Sequence, residues 1–81
     1  MRISIKLFAL LRERAGTSEL TLELPEGATI SVAAETLASR LTTIRDLLPR
    51  VAFAVNREYR DRNATLREGD ELALIPPVSG G

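Results

Sequence analysis

The stretch Glu71-Leu72-Ala73-Leu74-Ile75-Pro76-Pro77-Val78-Ser79-Gly80-Gly81 joins two halves of opposite character. Leu72, Leu74 and Ile75 read as a packed strand. The two prolines that follow fix φ and donate no backbone N–H, so the strand stops there. Beyond them the chain has little bulk, and it ends in two residues without a Cβ. Such a tail packs poorly on a core but threads well through a narrow channel. Pro76-Pro77 favours an extended, stiff start, and the six residues from Pro76 to Gly81 reach roughly 20 Å at full extension. The reactive group of the tail is the Gly81 carboxylate. Two readings follow: an ordinary frayed terminus, or a tail that carries chemistry. Residues 1–75 then form the folded domain, with 76–81 as an extended C-terminal tail.

Upstream, the pattern is mostly β. Ile3, Ile5 and Leu7 alternate with Arg2, Ser4 and Lys6, a period of two that marks a half-buried first strand. Phe8 to Ala15 switches to good helix formers, and Gly16 suits the left-handed helix end. Leu20, Leu22 and Leu24 alternate as a second strand, long enough to pair antiparallel with the first. Pro25-Glu26-Gly27 is a turn. Ser31 is the expected N-cap of a main helix from Val32 to Arg40, with Ala33, Leu37 and Leu41 as its buried stripe. Thr43 and Asp46 have capping-box spacing for a short further helix, ended by Pro49. Val51, Phe53 and Val55 alternate with alanines and read as an interior strand packed closely on both faces. Asn56-Arg57-Glu58 is a turn, one short edge strand is expected after it, and Leu66 to Asp70 is a turn around Gly69. Runs of strands with one helix crossing a sheet face indicate an α+β domain. A mixed sheet gripping that helix, with the last strand beside the first, is the β-grasp arrangement.

Composition removes several function classes. The 81 residues fit one small domain. Formal net charge is zero, so no global field draws the chain to nucleic acid or to an anionic membrane. Neither cysteine nor histidine is present. Thiol chemistry, thiolate metal sites and the commonest general base are therefore all missing, and no residue is assigned a catalytic or metal-ligating role. The apolar run at the N-terminus is too short for a signal peptide, and no segment is long enough to span a membrane. The expected compartment is the cytoplasm.

The remaining candidates are few. Asn56 to Asn63 interleaves arginines with Tyr59, a combination that stacks on RNA bases. Glu58 and Asp61 among them favour a solvated turn with local ion pairs. Glu13, Glu19, Glu23, Glu26 and Glu35 form no convergent pair at metal-ligand spacing. Phe8 closes the first strand, where it either anchors a partner or completes the core. In the tail, a carboxylate is a poor acyl donor, because oxide is a hopeless leaving group. A partner enzyme could activate it with ATP as an acyl-adenylate, and that logic asks for no catalytic side chain on the carrier.

Three motifs carry a resemblance. Leu66-x-x-Gly69-Asp70-Glu71-x-Ala73-x-x-Pro76-Pro77-Val78-x-Gly80-Gly81 strongly resembles the C-terminal signature of the molybdopterin synthase small subunits. Leu7-Phe8-Ala9-x-Leu11-Arg12-Glu13-x-x-Gly16 and Val55-Asn56 resemble the same family. Residues 29–50 match in pattern alone. The resemblance implies a ubiquitin-like β-grasp fold and a sulfur carrier of molybdenum cofactor biosynthesis. It implies that an E1-like adenylyltransferase activates Gly81 with ATP, and that a sulfur donor protein then supplies the sulfur of a C-terminal thiocarboxylate. It further implies that Pro76, Pro77, Val78, Ser79, Gly80 and Gly81 insert into the large catalytic subunit of the synthase, where sulfur passes to cyclic pyranopterin monophosphate within a heterotetramer. Phe8 and Ile75 fall where that family buries apolar interface. No cofactor bound by the chain itself is implied. Rival readings are a thiamine-pathway sulfur carrier, a ubiquitin-like tag joined through Gly81 to lysines of other proteins, and a plain interaction module with an inert tail.

Overall fold

In the computed structural model, residues 1–77 are described. The strands are β1 (Arg2–Leu7), β2 (Glu19–Glu23), β3 (Ala52–Val55), β4 (Glu58–Arg60) and β5 (Glu71–Ile75). Helix α1 (Ala9–Ala15) lies in the β1–β2 connection, and α2 (Ile30–Arg40) is followed by a 3₁₀ segment, Thr42–Arg50. The sheet runs β2-β1-β5-β3-β4. β1 pairs antiparallel with β2 and parallel with β5, while β3 pairs antiparallel with β5 and β4. This is the β-grasp order expected from the sequence, with the last strand placed centrally against the first.

One face of the sheet holds the core. Ile3, Ile5 and Leu7 of β1, Leu22 of β2, Phe53 of β3 and Leu72 and Leu74 of β5 are buried there. Helix α2 contributes Ile30, Ala33, Ala34 and Leu37. Leu41 lies at the helix end, only partly buried. Leu11 of α1 and Ile44 and Leu48 of the 3₁₀ segment complete the cluster. Burial of such aliphatic side chains is the main favourable term in a domain this small.

Three local expectations are corrected. The N-cap of α2 is Thr29, not Ser31: the Val32 N–H donates to Thr29 Oγ1 at 3.4 Å. Ser31 instead lies inside the helix, its N–H donating to the Arg62 carbonyl at 3.0 Å. The Thr43/Asp46 capping box does not form. Thr43 Oγ1 donates to the Arg14 carbonyl at 2.9 Å, and Asp46 accepts from Arg14 Nη1 at 3.0 Å, so both residues tie this segment to α1. Pro49 lies inside the 3₁₀ segment, which runs on to Arg50.

β3 is interior to the sheet as expected, but its small residues do not sit under a second layer. Ala52 is exposed, and Ala54 lies at the bottom of a hollow on the face opposite the core.

Candidate functional site

The site is organised by how β5 is started, held and stopped. Gly69, with φ of 83°, makes the turn into it, and its N–H donates to the Arg2 carbonyl at 2.9 Å. Asp70 Oδ2 accepts from the Arg67 N–H at 2.8 Å, while Oδ1 accepts from Asn56 Nδ2 at 2.9 Å. Asn56 Oδ1 in turn accepts from the Glu71 N–H at 3.0 Å. Two motifs distant in sequence, Val55-Asn56 and Gly69-Asp70-Glu71, are therefore one hydrogen-bonded unit. It fixes the β3–β4 turn to the start of β5, and the register of β5 then follows: Ser4 opposite Glu71, Lys6 opposite Ala73, Ala52 opposite Ile75. At the far end Ile75 and Pro76 are half-buried and Pro77 is exposed. The tail residues Val78, Ser79, Gly80 and Gly81 lie outside the described residues.

Beside the exit of β5 the open face forms a shallow hollow. Residues directly opposite in neighbouring strands share a face. Tyr59, Ala54, Ala73, Lys6 and Glu19 therefore form one row across all five strands. Ala54 and Ala73 are the floor. Phe8 and Ile75 stand at the end nearest Pro76, Tyr59 and Arg57 on one side, and Lys6 with Glu71 on the other. Phe8 is 45% exposed and Tyr59 71% exposed. Phe8 is thus not a core residue, and the two residues expected to meet a partner, Phe8 and Ile75, line one concavity. The apolar members of the hollow are rimmed by the charged Lys6, Arg57 and Glu71.

The backbone holds Phe8 there. It is the extended N-cap of α1, its carbonyl accepts from the Leu11 N–H at 3.0 Å, and Ala9 follows with a φ of 49°. A left-handed conformation at a residue with a Cβ costs energy. Here it turns the chain from strand to helix without carrying Phe8 into the core.

Sequence reasoning missed Tyr59 as part of this surface, and it read the β3 alanines as closely covered, whereas Ala54 lines an open hollow with Ala73 of β5 beside it. The RNA reading of the arginines loses a member. Arg62 turns inward, with Nη2 donating to the Leu48 carbonyl at 2.6 Å and the guanidinium 4.8 Å above the Phe53 ring. The local ion pairs expected with Glu58 and Asp61 do not form among the described residues; Asp61 instead accepts from the Asn63 N–H at 2.8 Å. No helix among the described residues is long and apolar enough to cross a membrane.

The model of the ThiS family matches residues 5–81. The chain belongs to the ThiS family. It is 37% identical, over all of this chain and 84% of the relative, to the molybdopterin synthase sulfur carrier subunit of Arabidopsis thaliana. To the molybdopterin synthase sulfur carrier subunit of Chlamydomonas reinhardtii it is 41% identical, with both chains covered end to end. Among solved structures, SAMP1, the small archaeal modifier protein 1 of Haloferax volcanii, superposes with a TM-score of 0.89 at 29% identity, again covering both chains fully. In this ThiS-family chain the hollow and the end of β5 adjoin: Phe8 and Ile75 line the hollow, and Pro76 follows Ile75 directly.

Proposed function

We propose that this chain carries sulfur for molybdenum cofactor biosynthesis, as the small subunit of a molybdopterin synthase. The observation that carries the reading is its end-to-end similarity to molybdopterin synthase sulfur carrier subunits. The geometry supports it: β5 is anchored at its start, stopped by Pro76 and Pro77, and bordered at its exit by an apolar hollow.

The chemistry divides between partners. On an E1-like adenylyltransferase, a Gly81 carboxylate oxygen attacks the α-phosphate of ATP and pyrophosphate leaves. The terminal sulfur of a donor-protein persulfide then forms a bond to the acyl carbon, and AMP leaves with the acyl–oxygen bond pair. A thiol next attacks the inner donor sulfur, the S–S bond breaks with its electron pair going to the acyl-bound sulfur, and the donor departs as a disulfide. The product is a C-terminal thiocarboxylate. The large catalytic subunit grips the hollow through Phe8 and Ile75 and takes up Pro76 to Gly81, bringing the sulfur to cyclic pyranopterin monophosphate. The assembly is a heterotetramer with one carrier at each end of a large-subunit dimer, working in the cytoplasm. The carrier contributes position and a sulfur atom, and the ATP is consumed on the activating enzyme.

Deleting Gly81, or adding one residue after it, should abolish thiocarboxylate formation and leave the melting temperature unchanged, because the tail follows the last packed strand. Normal loading of the extended chain would contradict the reading. A second reading, a protein tag joined through Gly81 to lysines, is favoured by the likeness to the Haloferax modifier. Covalent ladders on other proteins, dependent on Gly81, would support it over the carrier role.

A further inference from the structure

Activation of a carrier's own C-terminus creates a hazard that the composition of this chain addresses. An acyl-adenylate is attacked by any free amine it meets, including amines on other copies of the carrier. The chain has ten arginines and one lysine. A guanidinium is not a competent nucleophile, whereas a lysine amine is. Lys6 is therefore the one lysine of the sequence, and it stands on β1 beside β5, in the hollow that Ile75 at the end of β5 also lines. Its Nζ lies between two carboxylates, 3.3 Å from Glu19 Oε1 and 3.9 Å from Glu71 Oε2. The Lys6 side chain retains 33% of its exposure. The α-amino group of Met1 is also engaged, donating to the Leu24 carbonyl from a partly buried position.

We propose that Lys6 is the chain's single side-chain acylation site, open to the activated glycyl group of a second copy, and that Glu19 and Glu71 restrain it. The proposal rests on the activation of Gly81 given above. A side-chain nitrogen held between two carboxylates must leave them before it can reach an acyl carbon. Once free, Nζ forms a bond to the Gly81 acyl carbon of another copy, the acyl–oxygen bond to AMP breaks, and AMP departs with that electron pair. The proton lost from Nζ passes to water. The product is an amide-linked dimer that has lost its sulfur-accepting end on one copy. Binding of a partner over the hollow covers Lys6 as well, so the exposed interval is the one between activation and docking.

The test uses the full chain with an E1-like adenylating enzyme and ATP, without a sulfur donor. The parent, Glu19→Gln/Glu71→Gln and Lys6→Arg variants are followed by intact mass and by peptide mapping of any cross-link. ATP–pyrophosphate exchange is recorded for each, and melting curves confirm that each is folded. At equal exchange rates, the double variant should form the Gly81–Lys6 dimer about five-fold faster than the parent, in keeping with the loss of two partly exposed ion pairs. Lys6→Arg should form none. Equal dimer rates in parent and double variant would overturn the restraint. A dimer persisting in Lys6→Arg, or an amide closed within one copy, would overturn the assignment of the site. Absence of exchange in the parent would instead refute the activation of Gly81, which keeps the two failures apart.

Discussion

Truncating Phe8 to alanine separates an interaction surface from a structural one. Fully burying an aromatic side chain removes roughly 150–250 Å² from water. Phe8 is 45% exposed in the free chain, so a partner seated on the hollow has on the order of 90 Å² of it left to cover. At about 25 cal/mol per Å² that is about 2 kcal/mol of binding energy, or roughly 30-fold in affinity. The same figure is typical of a buried aromatic anchor. The fold should respond less than to a core truncation, because Phe8 lies outside the core cluster, but the half of its surface already covered in the free chain sets an expected cost of about 1–2 kcal/mol. Calorimetric titration of the variant against a molybdopterin synthase large subunit, beside its melting curve, gives both numbers. Affinity and melt both unchanged would remove Phe8 from the interface. A stability loss of about 3 kcal/mol or more, the range of a buried Phe→Ala change, would show that its packing had been misread.

Two further substitutions test the framework that carries the site. Leu37→Ala empties a fully buried position on α2 and should cost roughly 2–5 kcal/mol, seen as a large fall in denaturant midpoint at constant m; an unchanged midpoint would show that this helix face is not packed. Thr29→Ala should cost about 1 kcal/mol through the lost cap of α2, whereas Ser31→Ala should cost much less; the reverse order in chemical denaturation would restore Ser31 as the cap.

Much of this fold is legible in the amino-acid sequence, for identifiable reasons. The alternations Ile3-Ile5-Leu7, Leu72-Leu74 and Val51-Phe53-Val55 are strong because one sheet face is packed and the other is open, so the period of two is enforced residue by residue. Pro76 and the turn glycines mark clear stops, whereas the 3₁₀ segment runs past Pro49 to Arg50. What is not legible depends on contacts between distant segments. Thr29 and Ser31 are both acceptable caps by type, and the choice is made by tertiary pairing, in which the Ile30 and Ser31 N–H groups donate to Ala64 and Arg62 carbonyls. Thr43 and Asp46 have the spacing of a local cap, but Arg14 of another helix captures both. Tyr59 reads as part of a charged turn, and only the β3–β4 pairing places it opposite Ala54. Phe8 cannot be assigned to core or surface by pattern, because the left-handed Ala9 that sets its direction has no sequence signature.

The central claim is that Gly81 bears the transferable sulfur. The most direct measurement is the intact mass of the chain after co-production with an E1-like adenylyltransferase and a sulfur donor, followed by fragmentation of the C-terminal peptide. The account predicts a gain equal to the exchange of one oxygen for sulfur, confined to Gly81 and lost when the loaded chain is incubated with the large subunit and cyclic pyranopterin monophosphate. An unchanged mass while the enzyme catalyses ATP–pyrophosphate exchange on this chain, or sulfur found on any other residue, would contradict it.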